Sequence, residues 1–448
     1  MNQPIPTVTL GERLRLRRQG TRVDFLLTVP RRHGPIARMA LWGGFVQAQL
    51  VTDPALAHAV LVEHSDAFMK GLGLSYFMRP LLGNGLLSSE GDFHRRQRRM
   101  LAPSFMPKRL ADYATTIAER SESAQRALRD GAAVDVNTVM MRLTLEIVGA
   151  TLFGAEVGAE AEEVHGALSD AMDQMSRMVR SVIPIPPTWP TPGNRRGLRA
   201  VARLDRVVYG LIEERRRSGV ERNDFLSMLL AARDEAGGQM TDRQVRDEAM
   251  TIFLAGHETT ANALTWTFYL LARNPAVRER LERELDAHLG GRTPTLADLA
   301  KLPYAMMVFK ESMRLYPPAY VVARRALRDV EVAGRHIPKG HLVVINIIGM
   351  HHDPALFRDP ERFDPERFTP EAEKALPKNA FLPFGAGPRV CIGNHFALME
   401  GHLALATLAQ RVRFERSPSA PPAEMEPLVT LRPKGGMPMT VHRRAIEA

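Results

Sequence analysis

The chain has 448 residues, 45% of them hydrophobic and 25% charged, the balance of an ordinary globular protein; wholesale disorder and collagen-like or low-complexity character are excluded. A single cysteine, Cys391, excludes an intrachain disulfide, zinc sites needing two Cys ligands and Cys-ligated iron–sulfur clusters. The formal net charge of +10 favours acidic partners. The arginines nevertheless fall in small scattered groups without a zinc-finger, basic-zipper or aromatic-interleaved signature, so no nucleic acid partner is expected.

The N-terminal segment MNQPIPTVTLGERLRLRRQG carries charges where a signal peptide needs an apolar core. Residues 38–52 read as a strand pair turning at Gly43-Gly44. Helical patterns follow near 54–63, 92–101, 108–130, 137–153, 160–178, 197–217, 241–273, 275–288 and 303–315. Asp53 before Pro54, Thr241 before Asp242 and Asn274 before Pro275 supply start signals. The segment 320–349 returns to short β-like runs with turns at Val332-Ala333-Gly334 and Pro338-Lys339-Gly340. Residues 353–390 form a Pro-, Asp- and Gly-rich coil, a length that usually serves function. A helix follows at 395–411, and 412–443 reads as short strands.

No internal repeat or composition break appears, and 183–194 reads as a stiff surface loop. The expectation is one domain over 1–448, mainly α with a smaller β-rich part at 38–52 and 320–349 and a helical part at 54–315 and 353–411. No apolar run of about 18 residues is evident, so no membrane span is expected. A cytoplasmic monomer is the default.

The most informative stretch is Phe384-Gly385-Ala386-Gly387-Pro388-Arg389-Val390-Cys391-Ile392-Gly393. Gly385, Gly387 and Gly393 permit tight turns and close approach to a flat partner. Arg389 puts a cation two residues from the thiol, and a following helix N-terminus favours a thiolate. Phe384 offers an apolar face to shield the sulfur. A lone, shielded thiolate suits a single axial bond to haem iron. An inert buried cysteine or a catalytic nucleophile are the other uses of such a residue.

The run resembles, at every defining position, the Phe-x-x-Gly-x-Arg-x-Cys-x-Gly signature of the cytochrome P450 family, and Ala397 and Glu400 match the family pattern downstream of the cysteine. The resemblance spans about 38–441. It implies a haem-thiolate monooxygenase of the bacterial type, with a long central helix over haem b and Cys391 as the iron ligand. It implies that one atom of O2 enters an apolar organic substrate by hydroxylation or epoxidation. Electrons would come from a separate ferredoxin or flavodoxin with its reductase, because no Gly-x-Gly-x-x-Gly fingerprint is evident.

Other motifs take roles from the same resemblance. Ala255-Gly256-His257-Glu258-Thr259-Thr260 sits mid-helix, where Gly and Thr are weak formers. Thr259 then corresponds to the alcohol beside bound dioxygen, Glu258 to the proton-relaying acid and Ala255 to a haem-side position; His257 is a packing or surface residue. Glu311 and Arg314 share a helix face. In the family such a pair joins an arginine of the later coil, and Arg367 matches better than Arg362. His94 and Arg98, one turn apart, correspond to propionate ligands together with Arg324 and Arg389. Arg95, Arg96 and Arg99 would stay exposed towards a redox partner. Leu87, Ala319, Tyr320, Val321, Val429 and Thr430 occupy places that face substrate in the family, with 69–87 and 175–194 as lid loops. Three alternatives share some of these features: a peroxide-driven peroxygenase, a non-catalytic haem-thiolate gas sensor and a cysteine-nucleophile hydrolase. The Glu258–Thr259 pair favours O2 use over peroxide.

Overall fold

A computed structural model describes residues 5–41, 44–71, 73–154, 161–180, 185–186, 188–219, 222 and 224–445. The sequence shows no linker, and the chain resolves into two compact units, each stitched from three stretches. The first takes 1–72, 310–391 and 423–434; the second takes 73–309, 392–422 and 435–448.

The first unit is built on a six-stranded sheet. Its strand order is Thr7–Val8, Ile36–Leu41, Val46–Val51, Leu342–Ile345, Val322–Ala326 and Phe68–Lys70. Ile36–Leu41 and Val46–Val51 pair antiparallel, as the sequence pattern predicts. Their turn includes Gly44 at φ +104, a value that favours glycine; Trp42 and Gly43 lie outside the described residues. The turn at Ala333-Gly334 joins Val330–Val332 to Arg335–Ile337 with both central residues at positive φ, 49 and 72, the geometry that matches strand twist in a two-residue hairpin. Val51, Val343, Ile345 and Ile347 are fully buried beneath the sheet with Leu56, Val60 and Leu61. Those last residues lie on the helix Pro54–His58, capped by Asp53 through the Leu56 N–H at 2.7 Å, and on the π-turn over Ala59–Glu63 into which it widens.

The second unit is helical. Its longest element, the central helix Asp242–Arg273, has 32 residues and opens with the Thr241–Gln244 capping box, which satisfies two orphan N–H groups reciprocally. It packs against Val136–Phe153, Pro192–Ser218 and Asn394–Ala409. A helix buried nearly all round carries little amphipathic signal. Val136–Phe153 is long and apolar enough to cross a membrane, contrary to the expectation of no such run, but 67% of it is buried in the fold. A three-stranded sheet of Val412–Glu415, Pro438–Arg443 and Ala133–Asp135 completes the unit.

Several elements depart from the sequence expectation. Helices at Leu10–Gln19 and Arg22–His33 precede the first predicted strand. The first is so rich in arginine that no apolar stripe shows. The second carries a Thr21–Asp24 capping box, a readable local signal. Asn274 does not cap the next helix with its side chain. It donates instead to the Leu270 carbonyl at 2.7 Å and closes the central helix. Within 183–194, residues 183, 184 and 187 lie outside the described residues, while Asn194 staples the rest by donating to the carbonyls of Pro186 and Trp189 at 2.9 and 2.8 Å.

Candidate functional site

In the first unit the cysteine loop folds back on itself. The Cys391 N–H donates to the Phe384 carbonyl at 2.9 Å, and the Val390 N–H to Gly387 at 3.0 Å. Gly385 and Gly387 take φ +69 and +71. At Gly387 a Cβ would also strike the Leu61 carbonyl, so glycine alone lets the loop seat on the π-turn. Gly385 has open space and matters for its φ only. The thiol of Cys391 is exposed, and Phe384 is half-buried. Three residues further on, the chain enters the helix Asn394–Ala409.

Glu311 and Arg314, on the helix Pro303–Leu315, are both fully buried. The guanidinium forks onto the carboxylate, Nε to Oε2 at 2.7 Å and Nη2 to Oε1 at 2.8 Å. Arg314 also donates to the carbonyls of His351 at 2.7 Å and Arg362 at 3.2 Å. Glu311 accepts from the Asp364 N–H at 3.0 Å, and Arg367 Nε lies 3.4 Å from Glu311 Oε1. Of the two candidate arginines, Arg367 contributes its charge, whereas Arg362 is exposed and contributes a carbonyl. Burial pushes the Glu311 carboxyl up, and the Arg314 fork, the Asp364 N–H and Arg367 pull against it.

His351 escaped the sequence reading. It is wholly buried; its ring binds the Arg314 carbonyl at 3.2 Å and the Leu382 N–H at 3.0 Å. That links the ion pair to the irregular run entering the cysteine loop. Burial drives its pKa well below the ordinary 6.5, so the ring is neutral and can accept from Leu382.

Arg324 and Arg389 are half-buried in this unit. Lys70, also missed, pairs with Arg324 in the strand register and is 5% exposed. Directly opposed residues of two strands share a face of the sheet, a relation visible only once the register is known. The substrate-facing candidates divide. Ala319, Val321 and Val429 are half-buried. Tyr320 is a core residue whose hydroxyl donates to the Leu428 carbonyl at 2.7 Å, and Thr430 is 6% exposed. A phenol held in an apolar core has its polar end satisfied there. Its bond, with Leu431 N–H to Pro318 O at 3.0 Å, keeps the turn at 428–430 beside 318–321.

In the second unit the central helix runs unbroken through Ala255–Thr260. Thr259 Oγ1 donates to the Ala255 carbonyl at 2.6 Å, the helical back-bond that threonine makes mid-helix. Glu258 is 8% exposed. His257 is a packing residue: Nε2 donates to Met141 O at 3.0 Å, and its own carbonyl accepts from Thr144 at 3.0 Å. Glu400, on Asn394–Ala409, is fully buried, and burial pushes its carboxyl up to about 8, with the Thr260 hydroxyl pulling it down.

On the helix Gly91–Leu101, His94 is buried and Arg98 half-buried on one face. Arg95, Arg96 and Arg99 are exposed as expected, but each has an acidic neighbour: Asp92, Asp234 and Glu235 respectively. These pairs reduce the charge they present to an acidic protein. Leu87 is half-buried in the turn that precedes this helix.

Among the described residues no group of three or more His, Cys, Asp or Glu could hold a metal ion. The lone Cys391 offers the one thiolate that an iron porphyrin takes from protein. Its turn, with Gly385 and Gly387 at positive φ, fits the same partner.

Comparison with known proteins agrees. The family model described as Cytochrome P450 matches residues 1–439. The chain is 38% identical over 398 residues to cyclooctat-9-en-7-ol 5-monooxygenase of Streptomyces melanosporofaciens, covering 88% of this chain and 86% of the relative. It is 34% identical over 393 residues to pentalenene oxygenase of Streptomyces avermitilis, covering 87% and 86%. Among solved structures, a cytochrome P450DA heme domain superposes with a TM-score of 0.88 at 27% identity, over 99% of this chain and 98% of that one. With a one-cysteine loop of this build and relatives of this kind over most of its length, the chain belongs to the cytochrome P450 family of haem-binding monooxygenases.

Proposed function

We propose that this protein inserts one atom of O2 into an apolar small molecule, by hydroxylation or epoxidation, with haem b held by Cys391 and electrons drawn from a separate ferredoxin or flavodoxin and its reductase. The carrying observation is the cysteine loop, in which Gly385 and Gly387 at positive φ turn the chain so that the Cys391 N–H reaches the Phe384 carbonyl just ahead of a helix. By family resemblance His94, Arg98, Arg324 and Arg389 are the propionate ligands, through charge-assisted bonds, and Lys70, opposite Arg324 in the strand register, adds a cation beside that residue. Bound haem supplies the iron that activates dioxygen.

The chain's own residues manage protons. To serve as a proton donor to any other group, Thr259 Oγ1 must leave the Ala255 carbonyl that it now binds at 2.6 Å. Glu258, one residue earlier, is the general acid from which the hydroxyl would be resupplied. The residues that the family resemblance assigns to substrate, Ala255, Leu87, Ala319, Val321 and Val429, are apolar, and relatives named for cyclooctat-9-en-7-ol and pentalenene support an apolar substrate. A cytoplasmic location and a monomeric state remain part of this proposal.

The reduced protein under CO is expected to show the red-shifted Soret band of thiolate ligation, and Cys391→His is expected to move it to the position of His-ligated haem. A wild-type band already at that position would overturn the proposal. For the relay, Thr259→Ala should raise peroxide release at the expense of product by about tenfold or more, the scale of a lost general-acid contribution. Unchanged coupling would remove Thr259 from that role.

A further inference from the structure

Two adjacent carboxylates on the central helix stand apart in sequence from the proposed relay residues Glu258 and Thr259, yet both are buried. Asp247 is 5% exposed and Glu248 1%. Burying carboxylates is unfavourable unless bonds compensate, and here the compensation comes from a neighbouring loop. The Asn84 N–H donates to Asp247 Oδ2 at 2.8 Å, and the Leu86 N–H to Glu248 Oε2 at 2.8 Å. Asp247 also accepts from Arg246 Nη1 at 3.0 Å, and Arg246 Nε donates to Asp205 at 2.6 Å.

The loop is shaped to come this close. Gly83 sits at φ +54, and a Cβ there would collide with the Asp247 carboxylate; a Cβ at Gly85 would collide with Thr251 Oγ1 and the Asp247 carbonyl. Ser88 Oγ ties the turn together by donating to the carbonyls of Gly83 and Gly85 at 2.9 and 3.1 Å. A cavity of about 460 Å³, lined in part by Gly83, Asn84, Gln244 and Asp247, flanks the clamp. Leu87 follows the second clamped amide directly.

We propose that Asp247 and Glu248 are positioning residues that seat the 83–89 loop against the central helix, and that by fixing Leu87 they set the room open to a substrate. The second half of this statement rests on Leu87 facing substrate, as proposed above.

The test uses the haem-loaded protein. Amide exchange of peptides covering 83–89 should quicken by about tenfold or more in Glu248→Leu, because the opening free energy of a local unit sets its exchange. Glu248→Gln keeps an acceptor for Leu86 and should stay near wild type. Gly85→Ala should quicken exchange by an independent route. In parallel, spectral titration with imidazole and with 1-phenylimidazole compares a probe that reports iron access with one that also needs apolar space. Glu248→Leu and Gly85→Ala should change the 1-phenylimidazole dissociation constant by about three- to tenfold, on the scale of small steric changes in an apolar pocket, with imidazole nearly constant. Unchanged exchange in Glu248→Leu overturns the clamp. Faster exchange with an unchanged ratio of the two dissociation constants overturns the control of substrate space, and leaves the haem-thiolate reading standing. A wild-type protein that shifts with neither azole overturns both.

Discussion

Arg314→Met is expected to destabilise the protein by about 3–5 kcal/mol, the scale for removing one partner of a buried ion pair, and to yield protein poor in haem. The size reflects the surroundings. Glu311 would keep its burial while losing two charge-assisted bonds, at 2.7 and 2.8 Å. The carbonyls of His351 and Arg362 would lose their donor at the same time. Arg314→Lys should fall nearly as far, because an ammonium cannot reproduce the planar fork. The double variant Glu311→Leu/Arg314→Met should recover part of the loss, since no lone buried charge remains. Urea unfolding with haem content per protein provides the measurement. A single variant within about 1 kcal/mol of wild type would place it with ordinary surface pairs, and the network would then lose its claim to hold the cysteine loop.

The second large effect is on pH dependence. Glu400 titrates at about 8 in the fold against an ordinary 4.5, with burial as the main cause. Between those values the folded state holds a proton that the unfolded chain has released, so stability falls as pH rises and levels off above about 8. At about 1.4 kcal/mol per pKa unit the total reaches at most roughly 5 kcal/mol. Glu400→Gln, which cannot ionise, is expected to remove this slope and to be the more stable protein at pH 8.5. Urea midpoints of both proteins from pH 5 to 8.5 decide it; parallel curves would show that Glu400 does not titrate there. At the acid end the sign reverses. His402, pushed down to about 4 by burial, stays neutral in the fold while the unfolded chain takes up a proton. Stability present above pH 6.5 is then lost as pH falls towards 4 in both proteins.

Local chemistry in the sequence determined much of this protein. The glycines at 385 and 387, the Thr241–Gln244 cap and the Val332–Gly334 turn act through backbone angles and bonds within a few residues. The cysteine loop, the central helix and the hairpin were therefore legible. Family resemblance extended that reading to Thr259, Glu258 and the cationic positions. Tertiary structure alone decided which ionisable groups lose their water. It buried Glu311 with Arg314, brought in the charge of Arg367 and only the carbonyl of Arg362, and placed His351 between the pair and Leu382. It sent Tyr320 into the core, set Lys70 opposite Arg324 and folded 83–89 onto Asp247 and Glu248. The physical reason is common to all of these: desolvation and partner choice depend on neighbours tens or hundreds of residues away, and periodicity and capping carry no record of them.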